Sequence, residues 1–506
     1  MGDMEVDVST IGVRRRRFVS LMISAMTLVA LFAWALAAAS GAGRETGRTP
    51  SRAREAAPSA RPVEQSPPTI SGTLTPGAQL VASPGTWSPS PTAYAYKWAR
   101  CNGEGSRCKK VRGASSATYP LRESDAGSRL RVSVVAFAGK RRSRPANSAL
   151  TEVVAGGSSS RREYVVDDGT VHVYAIDDGF KEVESFSLAA LRKGVRGVGV
   201  CPATATMFIS FGGDGGGNGD GGALAYNLVR KKVVWSKDYS FGIDSFALSL
   251  DCSKIYMPVG ELSASGEWKI VNSATGTPEG SISTPGSGPH NTVLSHDGKI
   301  LLLGARNYDH LAVYNTATGK LGLELGPLVG SVRPLTIDGA DTLSFTTATG
   351  FAGFQVESLA GSGAVLWTEN FGGTCSFSTC SHGISITPDS KEVAVIDTAH
   401  KAVQFWNVQG AASGKAPTHV ATVPVAGLRG EESGCAYDCP RDGWVQHSYD
   451  GAYVFVDDSG DVISTATHTV VAHLASLENT RKSIEVDWEG GRPIATSGRT
   501  GVGRSG

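Results

Sequence analysis

The 506-residue chain carries 48 Lys+Arg against 47 Asp+Glu, a formal net charge of +1. Its 41% apolar content excludes wholesale disorder, and its 63 glycines, which follow no three-residue period, exclude a collagen-like rod. The neutral total hides a split: residues 1–162 hold 24 basic and 10 acidic side chains (+14), residues 163–506 hold 24 and 37 (−13).

The basic run Arg14 to Arg17 precedes 25 residues, 18–42, that contain no charge. As a helix rising 1.5 Å per residue, that stretch is long enough to cross ~30 Å of hydrocarbon. Residues 1–17 read as a cytoplasmic n-region and 18–42 as a signal peptide or a transmembrane anchor, with the arginines inside and the remainder outside. Cleavage in the small-residue stretch 37–42 and retention as an anchor both stay open. The expected location is extracytoplasmic, either anchored N-in/C-out or secreted. Residues 43–68, rich in Pro, Ala and Arg, lack the apolar surface to offset ordering and read as a linker.

Between 69 and 154, short alternating runs are separated by turns such as Pro76-Gly77, Pro84-Gly85 and Asp125-Ala126-Gly127, the pattern of a small β-sandwich. Residues 155–162 form a second, Gly/Ser-rich linker. Eight cysteines fall into the pairs Cys101/Cys108, Cys201/Cys252, Cys375/Cys380 and Cys435/Cys439. Their even number, and the close spacing of three of the four pairs, point to disulfides in an oxidising compartment rather than zinc.

From 163 to 506 one unit recurs: a polar turn, then an apolar strand. The turns stand at Pro202, Asp251, Asp297, Asp338, Asp389, Asp450 and Glu489. Seven units of about 40–60 residues predict a seven-bladed β-propeller of four-stranded blades. Ring closure is expected to bring one N-terminal strand, 171–176, in to complete the last blade, because 493–498 lacks a following strand. The fold class is thus all-β, preceded by one signal or anchor helix.

The segment from Pro68 to Phe137, with Gly85-Thr86-Trp87, Trp98, Cys101, Cys108, Tyr119 and Asp125-Ala126-Gly127, resembles bacterial immunoglobulin-like modules of actinobacterial type. That resemblance implies a spacer or adhesive role without catalytic residues. The stretches GPHNTVLSHDGKILLLGARN, SHGISITPDSKEVAVIDTAHKAVQFWNV and QHSYDGAYVFVDDSGDVISTATHTVVA resemble the YVTN-type propeller repeat, whose members include surface-layer proteins. Relatives of that repeat occur in haem- and copper-bearing reductases and in sugar lactonases, so the resemblance implies a fold more than an activity.

His290 and His382 each stand seven residues before the turn acid of their unit, and His447 stands three before its own. Equivalent positions in a ring converge on the channel, so these histidines are the candidate metal or catalytic groups. Asp457, Asp458, Glu485, Asp487 and Arg499 are further candidate channel-end groups. Asp214, Asn218 and Asp220 in a Gly-rich loop offer oxygen donors for Ca²⁺, against the alternative of a plain flexible loop. No CxxCH, GxSxG or HExxH motif occurs. No cofactor is predicted, a channel metal ion being the one alternative. The acidic repeat domain argues against nucleic acid. The expected function is a surface propeller that binds or scaffolds a protein or envelope polymer through one face, in contact with the membrane if the N-terminal helix is retained. The alternative is an extracytoplasmic enzyme, a metal-dependent oxidoreductase or a lactonase-like hydrolase, centred on the channel.

Overall fold

The computed structural model describes residues 60–155, 159–167, 169–212, 219–374, 379–428, 430–431, 440–498 and 504–505. Residues 1–42 and most of the first linker lie outside them. Among the described residues the structure is all-β, with short 3-10 turns, and no helix is long and apolar enough to cross a membrane.

The first body is built on the long antiparallel pair Ala93–Cys101 and Arg129–Ala138. In Arg129–Ala138 every second residue is buried, from Leu130 to Ala138, because successive side chains point to opposite faces. A smaller sheet of Thr69–Ser71, Gln79–Ser83 and Thr118–Pro120 shares the same core. Trp98 is buried there, stacked on Tyr119 at 5.3 Å, and its indole N–H donates to the Ser116 carbonyl at 2.9 Å.

After Ser160 the chain forms seven antiparallel sheets in succession. Six are four-stranded meanders whose first strand is innermost and whose fourth is outermost. Their inner strands define blades one to six: Val195–Cys201, Ala247–Leu248, Pro289–Leu294, Val332–Ile337, Ile384–Ile386 and Trp444–His447. In blade seven the inner strand is Ser483–Glu489. Inner strands of successive blades touch around the circuit, and Gln446 bonds Ser483 where blade six meets blade seven. The result is a closed, propeller-like ring.

A local hydrogen-bond device sets the turn after the inner strand in blades two, three, five and six. Ser249, Ser295, Thr387 and Ser448 donate through their hydroxyls to the Asp two residues on, at 2.6, 2.9, 2.8 and 2.7 Å. That Asp also accepts the backbone N–H two residues further along at Ser253, Lys299, Lys391 and Ala452. The residue in between must take a left-handed conformation, as Gly298 and Gly451 do at φ 70° and 74°. Second strands such as Thr206–Phe211 and Leu343–Ala348 are buried at every position, because a blade is covered by neighbours on both faces. Outer strands such as Lys232–Asp238 are mostly exposed. The third and fourth strands of all seven blades are joined across a register shift, a β-bulge repeated around the ring.

Blade seven corrects one expectation. Its second, third and fourth strands are Ser160–Asp167, Thr170–Ala175 and Lys181–Ser187, so the N-terminal segment supplies three strands. The C-terminal Arg492–Thr496 pairs with the opposite edge of Ser483–Glu489 and does not form the second strand. Both candidate segments satisfy a β pattern, and the pairing is decided by where each can bury its apolar face. Val165 and Val166 are fully buried, whereas Ile494 is 40% exposed.

Two disulfides, Cys101–Cys108 and Cys201–Cys252, fit an oxidising extracytoplasmic environment. The second ties the turn of blade one to that of blade two. Cys380 is also disulfide-bonded, while Cys375, Cys435 and Cys439 lie outside the described residues.

Candidate functional site

At the end of the channel where the inner strands begin, each strand start contributes a side chain, and most of them are charged. Arg196 comes from blade one, Asp244 precedes the inner strand of blade two, and His290 and Arg333 lie in blades three and four. His382 precedes the inner strand of blade five, Asp442 that of blade six, and Arg481 and Lys482 that of blade seven. All are buried.

These groups neutralise one another in two networks. The Arg196 guanidinium bridges Asp244 at 2.9 Å and Glu261 at 3.0 Å. The other Glu261 oxygen faces Arg306 at 3.2 Å and Arg333 at 3.5 Å. His290 Nδ1 lies 2.9 Å from Asp244 Oδ2. On the opposite side, Asp442 receives Arg481 at 2.6 Å and the Thr379 hydroxyl at 2.6 Å, with His382 Nδ1 at 3.0 Å. Burial alone would raise the Asp244 and Asp442 carboxyls. The charges of Arg196 and His290 override it at Asp244, and those of His382 and Arg481 hold Asp442 down to about 2. Burial lowers the His382 pKa against the pull of Asp442. The His290 and His382 rings stand 6.2 Å apart, and His290 Nε2 is buried without a hydrogen-bond partner. The space left between the networks is about 30 Å³, room for roughly one water molecule.

Asp244, Glu261 and His290 place one potential ligand atom each within 4.8 Å of one another. The donor types suit a metal ion, but the Arg196 guanidinium already sits on both carboxylates and supplies the counter-charge there.

The structure brings His290 and His382 together and leaves His447 apart. His447 lies at the opposite end of its inner strand, beside the blade-six turn, with Nδ1 2.9 Å from the Ser385 hydroxyl. Its offset of three rather than seven residues from the turn acid places it there. Burial drives its pKa down to about 3, the state of a neutral, packed imidazole. Of the loop donors, Asp220 is exposed, and Asp214 and Asn218 lie outside the described residues, as does Arg499. Asp458 joins the channel-mouth network, 3.6 Å from Arg481. Arg196, Asp244, Glu261, Arg333, Asp442, Arg481 and Lys482 were not among the sequence candidates. Counting seven residues back from every turn acid, rather than only from those preceded by His, also finds Asp244 before Asp251 and Lys482 before Glu489.

Below the mouth, buried acids line the junction of blades six and seven. Glu163 and Glu485 stand directly opposite each other in the cross-strand register, both fully buried. Gln446 donates to Glu163 at 2.7 Å and to Ser483 at 2.8 Å, and Ser483 donates to Asp457 at 3.1 Å. Burial, then the charges of Glu485 and Asp457, push the Glu163 carboxyl well above its ordinary range. Burial pushes Glu485 up to about 8, although Arg161 at 3.0 Å pulls the other way. The folded chain therefore keeps protons that the unfolded chain releases near pH 4.5. The stabilisation from this pair is complete below that pH and is lost as pH rises toward about 8. Glu163→Gln, which keeps the Gln446 contact without the charge, is expected to match the native chain at pH 5. At pH 8 it should be more stable by roughly 1–3 kcal/mol. Calorimetric melting across pH 5–8.5 reads the difference.

No protein-family model matches the chain, and no curated protein matches it. Among solved structures it is similar to Kuenenia stuttgartiensis hydrazine synthase, at 14% identity and a TM-score of 0.47, over 60% of this chain and 92% of that one. It is also similar to a functionally unknown protein from Desulfotomaculum acetoxidans DSM 771, at 12% identity and a TM-score of 0.49, over 63% and 96%. Similarity at this level says nothing of chemistry.

Proposed function

We propose that the chain is an exported or membrane-tethered bacterial surface protein that binds or scaffolds a protein or envelope polymer. In this reading its ring belongs to the YVTN-type propellers, its small sandwich is an immunoglobulin-like spacer, and residues 18–42 direct export. The disulfides, the basic front and acidic back, and the Asp-Gly repeat turns support it.

The channel mouth carries the functional part of the proposal. Its charged side chains are spent on each other, and about 30 Å³ leaves no room for an organic substrate between them. A second reading, a metal-dependent enzyme, has one observation in its favour: His290 is oriented by a carboxylate at Nδ1 and leaves a buried Nε2 free, as metal-ligating histidines do. Elemental analysis of the purified full chain, after dialysis against zinc, copper or iron, separates the two. The binding reading expects well under 0.1 metal ion per chain. One equivalent of metal, lost in both His290→Gln and His382→Gln, would replace it with the enzyme reading.

A further inference from the structure

Two hollows lie away from the channel, at the seam where the sandwich meets blades seven and one. The two bodies approach closely there: a Cβ placed on Gly490 would fall 2.9 Å from that of Ala126. The hollows adjoin along the seam and share Arg122 and Ser124 in their walls.

The first, about 420 Å³, has an aromatic lining of Tyr164, Phe186, Tyr226 and Trp488. Phe186 and Tyr226 stack at 4.9 Å with their planes 14° apart, and the Arg162 guanidinium lies 5.3 Å over the Trp488 ring. Trp488 is only 8% exposed, and its buried indole N–H interacts with the Tyr164 hydroxyl. The one carboxylate in this hollow, Glu184, is engaged by Lys231 at 2.6 Å. The second hollow, about 510 Å³, is basic: Arg107, Lys109, Lys110, Arg112 and Arg492 line it, all exposed, beside Arg100. Arg100 is engaged by Asp125 at 2.6 Å, and no acidic side chain is among the described residues of this wall.

Aromatic rings with polar edges suit the faces and hydroxyls of sugar rings. A run of exposed cations alongside suits a repeating negative charge. We infer that this seam binds a polyanionic polysaccharide, whose rings seat against the aromatic hollow while its acidic groups follow the cations of the basic one. The inference rests on the binding reading above and assigns it a place and a class of partner. A lipid surface fits less well, since both hollows are concave, and an acidic peptide would leave the aromatic hollow without rings to hold.

The test uses the full chain and three probes of matched length: hexagalacturonate, neutral maltohexaose and hexaglutamate. Tryptophan fluorescence and calorimetric titration at low and high salt should show hexagalacturonate bound and weakened by salt, with the other two at least tenfold weaker. Lys109→Gln/Lys110→Gln combined with Arg122→Gln, all at exposed positions, should cost tenfold or more in affinity with Tm unchanged. Equal binding of hexaglutamate, no binding of hexagalacturonate, or full binding by the triple variant would overturn the inference. Co-sedimentation with purified bacterial cell-wall polymer separates this failure from that of the parent reading. If native chain and triple variant sediment equally, the seam is wrong and envelope binding stands; if the native chain stays in solution, both fail.

Discussion

Arg196→Ala is expected to destabilise the folded chain by about 3–5 kcal/mol, because it strips the counter-charge from two buried carboxylates at once. The Asp244 and Glu261 side chains are only 3% and 11% exposed, and Arg196 touches both. Without it, Asp244 keeps His290, while Glu261 keeps Arg306 and Arg333 at longer range. Each acid must then hold its charge with less compensation or take up a proton. Denaturant unfolding at pH 7 measures the loss. Asp244→Asn in the Arg196→Ala background should recover part of it, since one of the stranded charges is gone. If Arg196→Ala cost less than about 1 kcal/mol, the range of an exposed ion pair, the mouth would be hydrated rather than sealed.

The second large effect concerns closure. Removing residues 483–506 deletes the strand that links the N-terminal part of blade seven to the channel wall. Ile484, Val486 and Trp488 leave a core they share with Tyr164, Val198 and Val200, and the edge of Ser160–Asp167 loses its ladder partner. A domain's whole stability is about 5–15 kcal/mol, and losing one inner strand removes enough burial and pairing to exceed it. The truncated chain should show no cooperative melting transition and should be recovered as aggregate. Ending the chain after Gly491 is the contrasting case. It removes Arg492–Thr496, which lies outside the path from Ser483–Glu489 to the outer strands. That variant should melt cooperatively, a few degrees below the full chain. Equal collapse of both truncations would show that the last strand holds the ring together.

The turns were legible in the sequence because their chemistry is local. A Ser or Thr two residues before an Asp, followed by a residue able to turn left-handed, is complete within five positions. The sandwich strands were legible for a similar reason, since alternation in Arg129–Ala138 needs only one buried face. The second strand of blade seven was not, because 155–162 read as a linker although Ser160–Asp167 is a strand, and its pairing depends on packing some 320 residues away. The mouth was half legible. His290, His382, Asp244 and Lys482 share one offset from their turns, but Glu261 belongs to no inner strand, and Arg333 lies in a blade whose first pairing shifts register between Val332 and Leu335. The seam was hidden altogether, since it is assembled from the sandwich, the blade-seven strands and the blade-one hairpin.

The bulge between the third and fourth strands of every blade bears on how copies of this protein coexist at high concentration. Each outer strand leaves a row of backbone groups unpaired, and several carry exposed apolar side chains: Val183, Val233, Val234, Leu366, Val420, Val470 and Val471. A flat edge of that composition is a template for sheet-to-sheet growth. The bulge twists each edge out of plane, and local charges or breakers such as Lys181, Lys232, Lys237, Pro278 and Pro424 interrupt the pattern a neighbour would need. A ring multiplies this hazard sevenfold, and the bulge applies the same remedy at each of the seven outer edges.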